Sequence, residues 1–284
     1  MSPVALAVRL GVARGWIDFR NGLLTIHDVG LGPVMGCIFL VVLLLSRDET
    51  VPGTSLSVAA LGMPGVLGFM VFVGGILATA HALAAEREDG TLLRAKALPH
   101  GMVGYLTARI VSVSLDTVVG MLIILVPGLF LFEGLATGGF ARWLTLLWVL
   151  LLGLAASLPW GAIIGSLLRT PRAVSSLGFI PVITFVSISG IFAPLRDLWD
   201  WVQVIAQVFP AYWLGLGMRS AFLPDAATAV EIGRSWRTLE TVGVLSAWAV
   251  AGMLLAPVVL RRMARRESGA NLEARRHRAM QRIG

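Results

Sequence analysis

The sequence predicts an all-α polytopic membrane protein with six transmembrane helices and both ends in the cytoplasm, and three observations predict it. Of 284 residues, 57% are hydrophobic and only 14% charged, whereas a soluble domain carries about 25% charged residues to cover its surface. The apolar residues, which give a mean hydropathy of +0.84, come in blocks, and crossing a hydrocarbon core of ~30 Å takes roughly 20 helical residues. Basic residues flank those blocks unevenly, which sets the orientation.

Residues 1–28 precede the first block and include Arg9, Arg14, Asp18 and Arg20. They lack the uninterrupted apolar core of a cleavable signal peptide and are expected to stay in the mature chain. Val4 to Asn21 reads as a helix lying in the membrane interface. At 100° per residue Leu6, Leu10, Ala13 and Ile17 share one face, while Gly11, Arg14 and Asp18 share another. Arg9 and Arg20 fall in the broader apolar arc and can snorkel to headgroups.

The transmembrane domain is predicted over 29–260, with spans at about 29–46, 62–85, 105–132, 143–168, 174–193 and 241–260. Residues 194–240 form an external segment. Its stretch Leu198 to Phe222 is too apolar for an ordinary loop and too interrupted, by Asp200, Pro210 and Arg219, for a span. One or two helices dipping part-way into the membrane satisfy both constraints. Residues 261–284 are a basic cytoplasmic tail. With the N-terminus inside, seventeen basic residues fall on inner segments and six on outer ones. The pairs Gly32 with Gly36 and Gly161 with Gly165 have the small-residue spacing that lets membrane helices approach closely.

A formal charge of +7 raises nucleic acid as a partner, but of 23 basic residues all except Lys96 are Arg, and many lie beside apolar blocks. Membrane lipids account for them, and no nucleic-acid partner is expected. Cys37 is the single cysteine and the four histidines are far apart in sequence, so neither a disulfide within the chain nor a metal site is expected. An intramembrane serine protease would need Ser189 and His81 to meet, and the glycine expected before the nucleophile is Ser187. A P-loop needs Gly-Lys followed by Ser or Thr, and the only lysine follows Ala95. No catalytic, cofactor-binding or metal-binding residues are therefore assigned, and ATP chemistry would need another chain.

The most informative stretch runs from Glu86 to Pro99, between the second and third spans. Its alternating charges cannot enter lipid, Asp89-Gly90 offers a helix stop, and Thr91 can cap a short helix ending before Pro99. The result is a charged knob between two membrane helices; an ordinary polar connection is the plainer reading of the same residues. Asp116 is an acid well inside the third span, and at that depth it needs a cavity, a polar partner or another subunit. Contact with cargo, gating and a structural hydrogen bond are its alternative roles. Trp199, Trp201, Phe209, Tyr212, Trp213 and Phe222 suit the outer membrane interface.

The run Glu86-Arg87-Glu88, then Gly90-Thr91-Leu92 and Pro99, resembles the cytoplasmic loop of ABC-2-type permeases, the membrane subunits of ABC exporters that include the daunorubicin-resistance group. Ser189 to Leu195, followed by Trp201, Pro210 and Arg219, is similar to that family's Gly-Pro exit and external re-entrant hairpin. The resemblance implies a type V ABC exporter-like fold. Glu86, Arg87, Glu88, Gly90, Thr91, Leu92 and Arg94 would then form a coupling helix docked on a separate ATP-binding cassette subunit, with Arg169 and Arg172 as a second cytoplasmic contact. Leu93 stands where the family usually has Glu, so one ionic contact of that pattern is missing.

The same resemblance implies two copies of the ATP-binding subunit, which carry ATP and Mg, and a homodimer or a heterodimer with a related permease. It implies outward movement of an amphiphilic drug, lipid or lipid-like metabolite across the cytoplasmic membrane. Asp116, Trp213 and Arg219 are the candidates for pathway or gating. An ATP-independent secondary transporter or channel is the competing class; it would need ionisable residues in several spans, and Asp116 is one. An intramembrane enzyme comes third.

Overall fold

The computed structural model describes residues 2–24, 31–49, 57–132, 135, 139–168, 170–190, 195 and 198–266. Their regular elements are helices. They are α1 (Pro3–Leu24), α2 (Leu31–Leu45), α3 (Val58–Glu88), α4 (Thr91–Lys96), α5 (Gly101–Leu131), α6 (Phe140–Leu167), α7 (Pro171–Ser187), α8 (Asp200–Val208), α9 (Pro210–Phe222) and α10 (Thr238–Arg266). Two short 3₁₀ turns, Asp225–Val230 and Ile232–Arg234, precede α10. Arg169, Glu133, residues 191–194 of the exit motif and the tail beyond Arg266 lie outside the described residues.

Four helices are long and apolar enough to cross a membrane: α3, α5, α6 and α10. The other two apolar helices, α2 and α7, are shorter. Among the four, α3 is the hub, with 83% of its most apolar stretch buried. A helix apolar on every side is stable only when surrounded, and α3 packs against α9 on one side and α5 and α6 on others. The α10 helix lies along α6.

Two helices are interrupted by one π-helical turn each, Gly74–Ala78 in α3 and Val174–Gly178 in α7. Such turns insert an extra residue and are frequent at functional sites. Gly75 within the first lies so close to α6 that a Cβ would come within 2.7 Å of the Ser157 side chain.

The N-terminal helix is packed more closely than an isolated interfacial helix would be. α1 runs lengthwise against α5, with Gly11 and Gly15 buried in the seam. A Cβ at either would stand 2.5 Å from a backbone oxygen of α5. Leu6, Leu10 and Ile17 are exposed, at 48%, 60% and 53%. Both small-residue pairs noted in the sequence lie in helix contacts, Gly32 and Gly36 against α5, Gly161 and Gly165 against α3.

The segment between α7 and α10 holds two helices in a hairpin, and its second arm differs from expectation. Twelve of the thirteen residues of α9 are buried, against α3, α6 and α10. Trp199 and Trp201 are exposed, at 74% and 60%, and suit an interface. Tyr212, Trp213 and Phe222 belong instead to the core. Three aromatics on one short helix supply enough apolar area to fill the centre of the bundle, so burial wins over interfacial anchoring.

Candidate functional site

The charged knob begins as the last turn of α3. Because α3 stays helical through Glu88, its period turns neighbouring charges to different sides. Glu86 and Arg87 face inward and are buried, whereas Glu88 is exposed. One Glu86 carboxylate oxygen accepts a hydrogen bond of 2.5 Å from the Tyr105 hydroxyl, and the other accepts one from Arg109. Tyr105 and Arg109 stand four residues apart on one face of α5, so Glu86 ties α3 to α5 by a charge-assisted pair. Arg87 donates to the carbonyl oxygen of Ser166 at 3.0 Å, and through the same nitrogen to Gly165 and Leu168 at 3.5 and 3.4 Å. These are end carbonyls of α6, the negative pole of that helix.

Both side chains are engaged within the chain and brace the root of the knob. The helix α4 that follows is bracketed by left-handed residues, Gly90 at φ 79° and His100 at φ 53°. Gly90 needs no Cβ there and is the residue suited to the turn. The N-terminus of α4 is held by Asp89, whose side chain accepts from the Thr91 amide at 2.8 Å; Thr91 is the first helical residue and accepts from Arg94 at 2.9 Å. Asp89 therefore takes the capping role that the sequence assigned to Thr91. Leu92 anchors α4 in a small cluster with Leu83, Tyr105, Leu260 and Met263. Glu88, Asp89, Arg94 and Leu98 are left on the outside.

The second predicted contact lies close by. Thr170 caps α7 by accepting from the Ala173 amide at 3.1 Å, Pro171 takes the first helical position, and Arg172 is exposed. Arg169 lies outside the described residues. Arg87 reaches the Leu168 carbonyl at the foot of this loop, so the two predicted contact regions share a buried tie.

Asp116 also finds a partner. Its carboxylate accepts the Gly32 amide at 2.9 Å, capping the start of α2 from a different helix. It lines a cavity of about 750 Å³ whose walls include Asp18 and Asn21 of α1, His81 of α3, Arg109 and Ser112 of α5, and Ser175 of α7. The His81 ring nitrogen Nε2 and the Ser175 hydroxyl are 3.0 Å apart, closing one side. Trp213 and Arg219 do not reach this cavity. Trp213 donates to the Gln207 carbonyl at 2.7 Å beneath the Arg237 guanidinium, 4.7 Å from the ring centre. Arg219 forms a buried two-toothed pair with Glu231, at 2.5 and 3.2 Å, and donates to the Gly190 carbonyl at 3.1 Å. Among the described residues no group of His, Cys, Asp and Glu is placed to hold a metal ion.

The family model described as ABC-2 family transporter protein matches residues 46–256, well over half of the chain. The chain belongs to the ABC-2 transporter family. No curated protein matches it in sequence. It is thus an ABC transporter permease and a multi-pass membrane protein, of a family that usually works with a separate ATP-binding subunit. The matched stretch of the permease holds the knob, the α8–α9 hairpin and most of the cavity wall; α1 and all of α2 precede it.

Sequence reasoning placed Arg109 only as an inner-side charge and assigned His81 and Ser175 no joint role. The spacing of Tyr105 and Arg109 was a usable signal, since residues four apart on a helix can grip one acid. The meeting of His81 with Ser175 had none, because it depends on how α7 packs beside α3.

Proposed function

We propose that this permease is the membrane-spanning subunit of an ATP-driven exporter that moves an amphiphilic drug, lipid or lipid-like metabolite out across the cytoplasmic membrane. Six helices cross, α2, α3, α5, α6, α7 and α10, with both termini cytoplasmic and the α8–α9 hairpin at the outer side. Two copies, or one copy and a related permease, line the path. Two ATP-binding subunits below supply the energy and carry ATP and Mg; this chain binds neither. Closure of those subunits pushes on α4 and shifts the helices between inward-open and outward-open packings.

The observation that carries this reading is the construction of the knob. A polar connection needs no internal bracing, yet the root of this one is tied to α5 by Glu86 and to the end of α6 by Arg87. The charged outer face, Glu88, Asp89 and Arg94, stays free to meet a partner. A force on α4 would reach two long helices through those ties.

The test is co-purification. A P-loop ATPase should be recovered with the permease, and Glu88→Ala combined with Arg94→Ala should weaken that recovery while leaving the permease folded. Transport by the unpartnered chain on a proton gradient without ATP would overturn the reading in favour of a secondary transporter, for which Asp116 and His81 on one cavity would be the coupling groups.

A further inference from the structure

Three features mark the cavity beside Asp116. Its walls are drawn from five separate helices, α1, α2, α3, α5 and α7. Both π turns lie on it: Leu77 and Ala78 belong to the first, Ser175 to the second, and Phe179 follows the second. Its volume, about 750 Å³, is within the range of about 300–1,000 Å³ typical of pockets for small organic molecules.

The charges around it are unequal. Arg109 is the one arginine on the wall, and Glu86 already neutralises it from behind. Asp18 is partnered by Arg14 at 3.6 Å. Asp116 has no ion-pair partner among the described residues, and one of its two carboxylate oxygens is used by the Gly32 amide. The remaining oxygen is a free acceptor in a partly buried setting, on a wall that Ser112 and Ser175 also line. Apolar wall is supplied by Val34, Leu77, Val113 and Phe179. At the α1 end, Asn21 and Gly22 are followed by Leu23 and Leu24, exposed at 41% and 74%, so an apolar surface adjoins that end of the cavity.

We propose that this cavity is a binding pocket for the ammonium head of a cationic amphiphile, with Asp116 as its counter-charge and the apolar wall taking the first part of the tail. This deepens the exporter reading by naming the chemical class of its cargo. An anionic head would meet Asp116 and Asp18, and Arg109, whose Nε donor has no partner, already has its charge paired with Glu86. A neutral head would leave the Asp116 carboxylate unpaired. The ammonium can come from a free amphiphile or from a bilayer lipid, and the two sources differ in the test.

The full chain is placed in nanodiscs of digalactosyldiacylglycerol, a bilayer lipid without an ammonium, and binding of diaminododecane dansylated at one end is followed by fluorescence against empty discs. Saturable binding is expected, displaced by dodecyltrimethylammonium and not by dodecyl sulfate. Asp116→Asn keeps an oxygen for the Gly32 amide while removing the charge, and is expected to weaken binding about tenfold. Ala82→Phe keeps the charge and fills the space, and should weaken it as much. Weaker probe binding in discs containing phosphatidylethanolamine assigns the pocket to a lipid ammonium; unchanged binding assigns it to a free amphiphile.

Equal displacement by dodecyl sulfate, wild-type affinity in both variants, or no saturable binding overturns the proposal. Displacement in the unmodified chain decides the matter even if a variant fails to fold. No ATPase is needed, so binding without ATP coupling would sink the exporter reading alone. ATP-driven transport without binding would sink the pocket alone.

Discussion

At the scale of single residues, the contrast between Glu86 and Glu88 separates bracing from docking. Both are acids of the same short run, and the sequence alone offered them as one surface. The difference between them is two residues of helical rotation, which became visible only once α3 was found to continue through Glu88. Glu86→Ala would leave the Tyr105 hydroxyl and the Arg109 guanidinium without their shared acceptor, at a cost of about 2–4 kcal/mol. The expected outcome is a lower unfolding temperature for the isolated permease, with Glu88→Ala unchanged by the same measurement. Arg219 follows a similar logic. Its replacement by Ala strands the buried Glu231 and should destabilise by about 3–5 kcal/mol. The double change Arg219→Met with Glu231→Leu removes both charges and is expected to recover most of that loss in thermal unfolding.

At the scale of elements, hydropathy located the long helices well, because a block of apolar residues has one strong reading in lipid. α5 and α6 lie where their blocks predicted, with ends displaced by a few residues. The π turns were not legible: Gly74–Ala78 and Val174–Gly178 contain ordinary apolar and small residues with no pattern that marks an extra residue. The burial of α9 was missed for a related reason, since Tyr, Trp and Phe suit an interface and a core equally. The seam between α1 and α5 depends on Gly11 and Gly15, and a branched side chain there collides with backbone rather than with a movable side chain. Gly11→Val should therefore detach α1, seen as faster cleavage within residues 3–24 by limited proteolysis while α5 remains resistant.

At the scale of the whole molecule, membrane class and the presence of a knob could be read from composition and charge; the internal route between knob and cavity could not. Arg109 belongs to both, lining the cavity and gripping Glu86 at the root of α4. On the exporter reading proposed above, cargo beside Arg109 and ATP closure below α4 would act on the same ion pair. Tyr105→Phe removes one of the two hydrogen bonds to Glu86 and leaves the ion pair. It is expected to lower the ratio of amphiphile-stimulated to basal ATPase activity in the reconstituted complex.

The two short apolar helices have a consequence for the surrounding lipid. α2 has 15 residues and α7 17, so at 1.5 Å per residue they extend about 22 and 25 Å, against a hydrocarbon thickness of ~30 Å. α3 and α5, at 31 residues each, exceed it. On the six-helix topology proposed above, the bilayer would meet unequal walls around one perimeter, and hydrophobic mismatch would draw it thinner beside α2 and α7. Those are two of the helices that enclose the cavity. A thinner membrane at that flank shortens the distance a polar headgroup must travel through hydrocarbon, so this chain should work fastest in short-chain lipids.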